Sequence, residues 1–181
     1  MSVEYKVLLT ISGLPGSGTT TVSRLLSEKY GLEVVSAGEV FRSLAKEYGM
    51  TLAEFGELAE SDDSIDIEID ERQKEISNTR DNIILEGRLA GHMAEKAFKV
   101  WIKASVDVRV ERIVNRESGS FEYKLSETIE REASEAIRYK TIYGIDINDL
   151  SVYDLVIDSE KWDQFQITKV ISCAIDNNSY F

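Results

Sequence analysis

Apolar positions along the chain change period many times, and each change marks an element. Residues 5–12 carry a short apolar stretch around Val7, Leu8, Leu9 and Ile11, closed by Gly13. Such a run is too short for a helix and predicts a buried strand. From Val22 the spacing becomes helical, with Val22, Leu25, Leu26 and Tyr30 on one face and Gly31 as a C-terminal stop. Residues 32–35 form a second short strand. Val40, Leu44, Ala45 and Tyr48 then return to helical spacing up to Gly49, and Thr51 with Glu54 makes a capping box for the next helix, whose inner face is Leu52, Phe55, Leu58 and Ala59. Residues 61–71 stay ambiguous. Ile65, Ile67 and Ile69 suit a strand, whereas Ile65, Ile69 and Ile76 suit a helix. Further strands are predicted at 82–86, 98–104 and 153–158. Helices follow from Ser105 (Val106, Val110, Ile113, Val114 inward), over 125–142 up to Gly144, and over 162–175 through Phe165, Ile167, Val170, Ile171 and Ala174. Residues 117–120, Glu-Ser-Gly-Ser, read as a flexible tip.

Strands alternating with helices imply an α/β fold: a five-stranded parallel sheet joined by right-handed crossovers, with helices on both faces. At 181 residues a single domain accounts for the whole chain. Folds of this kind bind ligands beyond the carboxyl ends of their strands, which here are the loops 13–21, 36–42, 86–91 and 104 onward.

Composition narrows the partners. The net charge of −12 opposes a broad nucleic-acid surface or attachment to anionic membranes, since both need clustered Lys and Arg. No apolar run is long enough to span a bilayer and no signal-peptide pattern opens the chain, so a cytoplasmic monomer is expected. The single cysteine, Cys173, is expected in the core on the inner face of the last helix. His92 is the only histidine, which argues against a structural metal site.

The first turn carries the chemistry. Gly13-Leu14-Pro15-Gly16-Ser17-Gly18-Thr19-Thr20-Thr21 lies between a strand and a helix, where glycines let successive N–H groups converge on an anion and the helix start adds its dipole. It matches the phosphate-loop pattern G-x-x-x-x-G-K-[ST] except that Thr19 stands in place of the lysine. Thr20 keeps the hydroxyl expected to ligand Mg²⁺. Glu86, closing a buried strand, is expected to organise that ion through water. A second strand-to-helix turn carries Ser36, Gly38 and Arg42. Seven of the ten arginines (Arg42, Arg88, Arg109, Arg112, Arg116, Arg131, Arg138) fall on loops and helices suited to phosphates, which their planar forks grip bidentately. Arg109 is expected to face solvent beside Asp107 and Glu111, which leaves Arg112 and Arg116 as the better candidates on that helix. Arg131 with Glu135 also fits an ordinary i, i+4 surface pair, and Arg88 could merely stiffen its loop by pairing with Glu86.

In four blocks the chain resembles the nucleoside monophosphate kinases, most closely the short, archaeal type of cytidylate kinase. The blocks are Gly13 to Thr21, Ser36 to Arg42, Leu85 to Arg88, and Arg131 through Asp146. The resemblance implies transfer of the γ-phosphate of ATP, with Mg²⁺, to CMP or dCMP. It makes Arg42 and Arg88 holders of the acceptor's phosphate, puts Arg131 and Arg138 on the phosphates as a lid closes, and sets Glu135 near the acceptor's ribose. It also implies an acceptor-binding insert over 39–80 and a lid over 115–130. Asp70 and Gln73 are candidates for the cytosine edge by position alone. Two other readings remain: a kinase for another monophosphate (UMP or AMP), and a non-catalytic nucleotide-binding regulatory module that lost the lysine with its activity.

Overall fold

The computed structural model describes residues 7–117 and 119–177. Tyr5 and Lys6 of the expected first strand, Ser118 of the expected tip and the side chain of Leu52 lie outside the described residues. The elements run β1 (Leu8–Ser12), α1 (Thr19–Tyr30), β2 (Glu33–Ser36), α2 (Ala37–Glu47), α3 (Leu52–Ser61), α4 (Asp63–Thr79), β3 (Ile83–Glu86), α5 (Ala90–Met93), β4 (Phe98–Lys103), α6 (Val106–Glu117), α7 (Phe121–Tyr143), β5 (Leu155–Asp158) and α8 (Gln164–Asn177).

All five expected strands form, and they make one parallel sheet in the order β2-β3-β1-β4-β5. Period-two alternation sends their side chains to two cores. Leu9, Ile11, Ile84, Val100 and Ile102 pack with Val22 and Leu26 of α1 and with Ile167, Ile171 and Ile175 of α8. Ile83 and Leu85 face the other way, onto Val40, Leu44 and Phe55 and the α4 residues Ile65 and Ile69. Leu26 is fully buried, so Leu26→Ala would cost about 2–5 kcal/mol.

Glycine and capping chemistry set the helix ends. Gly31 (φ 68°) and Gly144 (φ 69°) terminate α1 and α7 in the left-handed region, and Gly49 (φ 68°) follows the end of α2. Thr51 and Glu54 form the expected capping box, and Ser36 and Glu39 form another at α2. The ambiguous stretch 61–71 is helical. Asp62 caps α4 by accepting from the Ser64 N–H at 2.9 Å, and Ile65 and Ile69 bury one face together with Asp70 and Gln73.

Two expectations need correction. Cys173 is exposed, because the buried face of α8 is Ile167, Ile171, Ser172 and Ile175, one position round the helix from the cysteine. The long helix starts at Phe121 rather than near 125, because Ser120 caps it by accepting from the Tyr123 N–H. Residues 115–130 are thus the end of α6, a turn at Gly119 and the first turns of α7. No helix among the described residues is long and apolar enough to cross a membrane.

Candidate active site

The phosphate loop occupies the gap between β1 and α1 at the carboxyl edge of the sheet. Gly16 has φ 83°, and a Cβ there would lie 2.5 Å from the Arg109 carbonyl oxygen, so the α6 backbone lies directly against the loop. Gly18, at φ 105°, caps α1 without a side chain and leaves the helix N-terminus open. The Ser17 N–H closes the turn on the Leu14 carbonyl at 3.1 Å.

Thr19 and Thr20 both donate to one oxygen of Glu86, at 2.8 and 2.6 Å. The β1–β3 register, Ile11 opposite Glu86, fixes this meeting. Two hydroxyls and a carboxylate therefore converge at the first turn of α1, and no cation from the loop is among them.

Beside the loop is a cavity of about 590 Å³ lined by Gly16 to Val22, Arg112, Arg116 and residues 159–164 after β5. The two arginines differ. Arg112 donates to the carbonyls of Gly16 (3.2 Å) and Ser17 (3.4 Å) and to Ser159. Arg116 is exposed and pairs with its neighbour Glu117.

A larger cavity of about 920 Å³ separates α3 and α4 from α7 and is lined by Phe41, Asp66, Arg131, Glu135 and Arg138 among others. Glu135, only 6% exposed, is shared by Arg131 (3.0 Å) and Arg88. The i, i+4 pair with Arg131 is therefore solvated at its arginine end and buried at its glutamate end. Arg88 does not pair with Glu86. Burial pulls the Arg88 pKa down to about 10, which still leaves it cationic at neutral pH. Arg138 meets Asp66 at 3.1 Å.

The remaining candidates are dispersed. Asp70 accepts a hydrogen bond from the Tyr143 hydroxyl at 2.8 Å, joining α4 to the end of α7. Burial raises the Asp70 carboxyl to about 6, helped by Asp66 and opposed by the Tyr143 bond. The Gln73 side chain is buried and donates to the Glu86 carbonyl at 3.3 Å, so it supports the loop bearing Arg88 rather than lining either cavity. Ser36 is occupied in its capping box. Arg42 is exposed on α2, close to Gly38, and lines neither cavity.

Arg109 is the clear correction. It is 3% exposed rather than solvent-facing, and it grips both carboxylate oxygens of Glu132 and the carbonyls of Ala104 and Pro15. Glu132 and Tyr143 lie in the block Arg131 through Asp146 without a role assigned from the sequence, and Asp66 has no sequence signal of its own. Arg109 had a signal, since it lies one turn before buried Ile113 and next to buried Val110.

Comparison with known proteins gives a consistent pattern. Residues 8–161 match the model of the cytidylate kinase-like family. The cytidylate kinase of Methanococcoides burtonii is 67% identical over 175 residues, covering 97% of this chain and 100% of that protein. That of Methanocaldococcus jannaschii is 51% identical over 176 residues, covering 94% and 98%. Among solved structures, shikimate kinase from Aquifex aeolicus aligns with a TM-score of 0.63 at 18% identity, over 94% of this chain and 97% of its own, a likeness of fold.

Proposed function

The chain belongs to the cytidylate kinase-like family, and on that premise we propose that it transfers the γ-phosphoryl group of ATP to CMP, giving ADP and CDP. The observation that carries this reading is the presence of two cavities of different character. One is lined by a phosphate loop, and the other by arginines and a buried glutamate. A switch that only bound one nucleotide would not need the second.

In this reading ATP lies in the loop-side cavity, with its phosphates on the N–H groups between Gly13 and Thr21. The residues at the start of α1 fit Mg²⁺. They offer hard oxygen donors, Thr20 as ligand and Glu86 through water, and one carboxylate suffices because phosphates and water complete such a site. The ion would neutralise charge on the phosphates. CMP lies in the second cavity. Arg88 and Arg131 exchange part of their hold on Glu135 for the acceptor's phosphate, and Arg42 joins them by side-chain movement. Phosphoryl transfer between two polyanions is mostly positioning and charge neutralisation, work that arginines do without losing their charge.

The test is ADP release with ATP and a panel of monophosphates. CMP should be the best acceptor, with dCMP or UMP trailing. A preference for AMP or GMP, or no turnover with any acceptor, overturns the reading. A cytoplasmic monomer is part of the proposal, and sedimentation of the purified chain would check its oligomeric state.

A further inference from the structure

We propose that Arg109, anchored by Glu132, is a positioning residue for the phosphate loop, orienting the amides that hold the donor in a kinase whose loop lacks a lysine. This rests on the reading of the loop-side cavity as the donor site.

Arg109 is buried, and each of its three guanidinium nitrogens finds an acceptor. Its Nε donates to the Ala104 carbonyl at 3.2 Å. One terminal nitrogen donates to the Pro15 carbonyl at 3.2 Å and to Glu132, and the other reaches the second Glu132 oxygen at 3.1 Å. The guanidinium thus joins three segments: the start of α6, the phosphate loop and α7. A buried arginine paired in both directions is rigid, since breaking either contact strands a charge.

Its consequence for the loop follows from peptide geometry. The described peptides are all trans. A trans peptide points its C=O and N–H to opposite sides, so holding the Pro15 carbonyl against Arg109 turns the Gly16 N–H away from α6. Arg112 does the same further on, because its grip on the Gly16 and Ser17 carbonyls turns the Ser17 and Gly18 N–H groups away. The intervening Ser17 N–H closes the turn on Leu14. Two guanidinium groups on α6 thereby hold three successive carbonyls of the loop, those of Pro15, Gly16 and Ser17, from behind. The contact of Gly16 with the Arg109 backbone leaves no slack between loop and helix.

Arg109 and Arg112 do this differently. The charge of Arg109 is matched by Glu132, so its contribution is geometric. Arg112 donates to carbonyls and to Ser159, without a carboxylate among those contacts, so it also brings positive charge to the loop. Glu132 lies on α7 next to Arg131 and one turn before Glu135 and therefore ties the donor loop to the helix that lines the second cavity.

The experiment measures ATP binding by calorimetry without acceptor, together with melting temperature and the KM for CMP, in three variants. Arg109→Met with Glu132→Met removes the pair as a unit, a change that apolar side chains of similar size usually tolerate. Arg109→Lys keeps the charge but cannot serve all three segments. Glu132→Gln keeps a polar contact without the charge. The expected result is an ATP Kd raised about tenfold or more in the double variant and in Arg109→Lys, with the KM for CMP within about twofold of wild type. If the double variant does not fold, Arg109→Lys and Glu132→Gln carry the same comparison. Unchanged ATP affinity in the folded variants, or ATP and CMP affinity falling equally, overturns the proposal and leaves the pair a purely structural link. A wild-type chain that binds ATP without phosphorylating CMP sinks the functional reading and not this one. A wild-type chain that binds no ATP overturns this one.

Discussion

Arg88, two residues past the end of β3, and Glu135, midway along α7, form an ion pair in which both side chains are largely buried. An isolated pair at this depth would be a doubtful source of stability, because the desolvation of both charges offsets their attraction. Its placement at the edge of the second cavity suits exchange instead: a phosphate can replace the carboxylate on Arg88. Arg88→Lys should therefore raise the KM for CMP and lower kcat through misalignment, with the KM for ATP little changed. Glu135→Gln should destabilise the apo protein by about 3–5 kcal/mol, because it leaves Arg88 buried without its carboxylate. Melting curves should show CMP restoring more stability to Glu135→Gln than to wild type. An equal CMP effect on both would mean that Arg88 does not hold the acceptor.

Thr19 and Thr20 converge on one oxygen of Glu86, the carboxylate proposed above to organise Mg²⁺ through water. Glu86→Gln should shift the Mg²⁺ dependence of turnover to higher concentration, and Thr20→Val should shift it further by removing the proposed direct ligand. Turnover at saturating ATP with Mg²⁺ varied is the measurement. Unchanged midpoints in both variants would leave Glu86 as a structural partner of the loop only.

Asp70 gives the fold a pH dependence with a defined sign. Its carboxyl is raised from 3.8 to about 6 in the folded protein, chiefly by burial. Between these values the folded chain binds more protons than the unfolded one, so stability falls as pH rises through that window. The contribution is fully present below about pH 4 and lost above about pH 6, on the order of 3 kcal/mol. Asp70→Asn keeps an acceptor for the Tyr143 hydroxyl. It should therefore gain on wild type as pH rises from 4 to 7, in melting curves taken across that range. A gap that does not change with pH would mean that Asp70 titrates normally.

Most of the frame is legible in the sequence. Strands flanked by glycine, helices ended by Gly31, Gly49 and Gly144, and the Thr51–Glu54 box depend on local chemistry, and local chemistry is written in short windows. What escaped depends on tertiary partners. Ser172 is buried and Cys173 exposed, against the hydropathy of both residues, because the packing angle of α8 decides which faces inward. The sequence points Arg109 to solvent because Asp107 and Glu111 flank it and charged side chains usually face water. Its burial depends on Glu132, which comes from another helix. Thr128, Glu132 and Glu135 repeat at spacings of four and three, a polar stripe along α7, but hydrophobic periodicity does not register polar stripes. Nor could the 61–71 stretch be settled by its isoleucines, since Asp62 capping and the burial of Ile65 and Ile69 made it helical.

The absence of the loop lysine leads to a last expectation, on how the donor's terminal charge is met. Thr19 cannot supply it. Its hydroxyl is spent on Glu86, an oxygen that Thr20 also holds at 2.6 Å. Thr19→Ala should therefore be mild, because Thr20 keeps Glu86 in place. Arg112 is committed to the loop carbonyls and Ser159, and moving it would release the loop it braces. Arg116 is different. It lines the same cavity, its side chain is 64% exposed, and its acidic partner is the adjacent Glu117. A surface pair of this kind costs little to break, so Arg116 is free to swing onto the donor phosphates. Arg131, 65% exposed on the opposite cavity, is the second mobile cation. Arg116→Ala should lower kcat by up to about a thousandfold, the scale of one transition-state arginine, with a smaller effect on ATP affinity. Arg131→Ala should lower kcat by orders of magnitude while also raising the KM for CMP. Single-turnover rates for Thr19→Ala, Arg116→Ala and Arg131→Ala decide the matter: loss of the chemical step in the threonine variant alone, with both arginine variants active, would mean that the loop supplies what it lacks by some route other than these arginines.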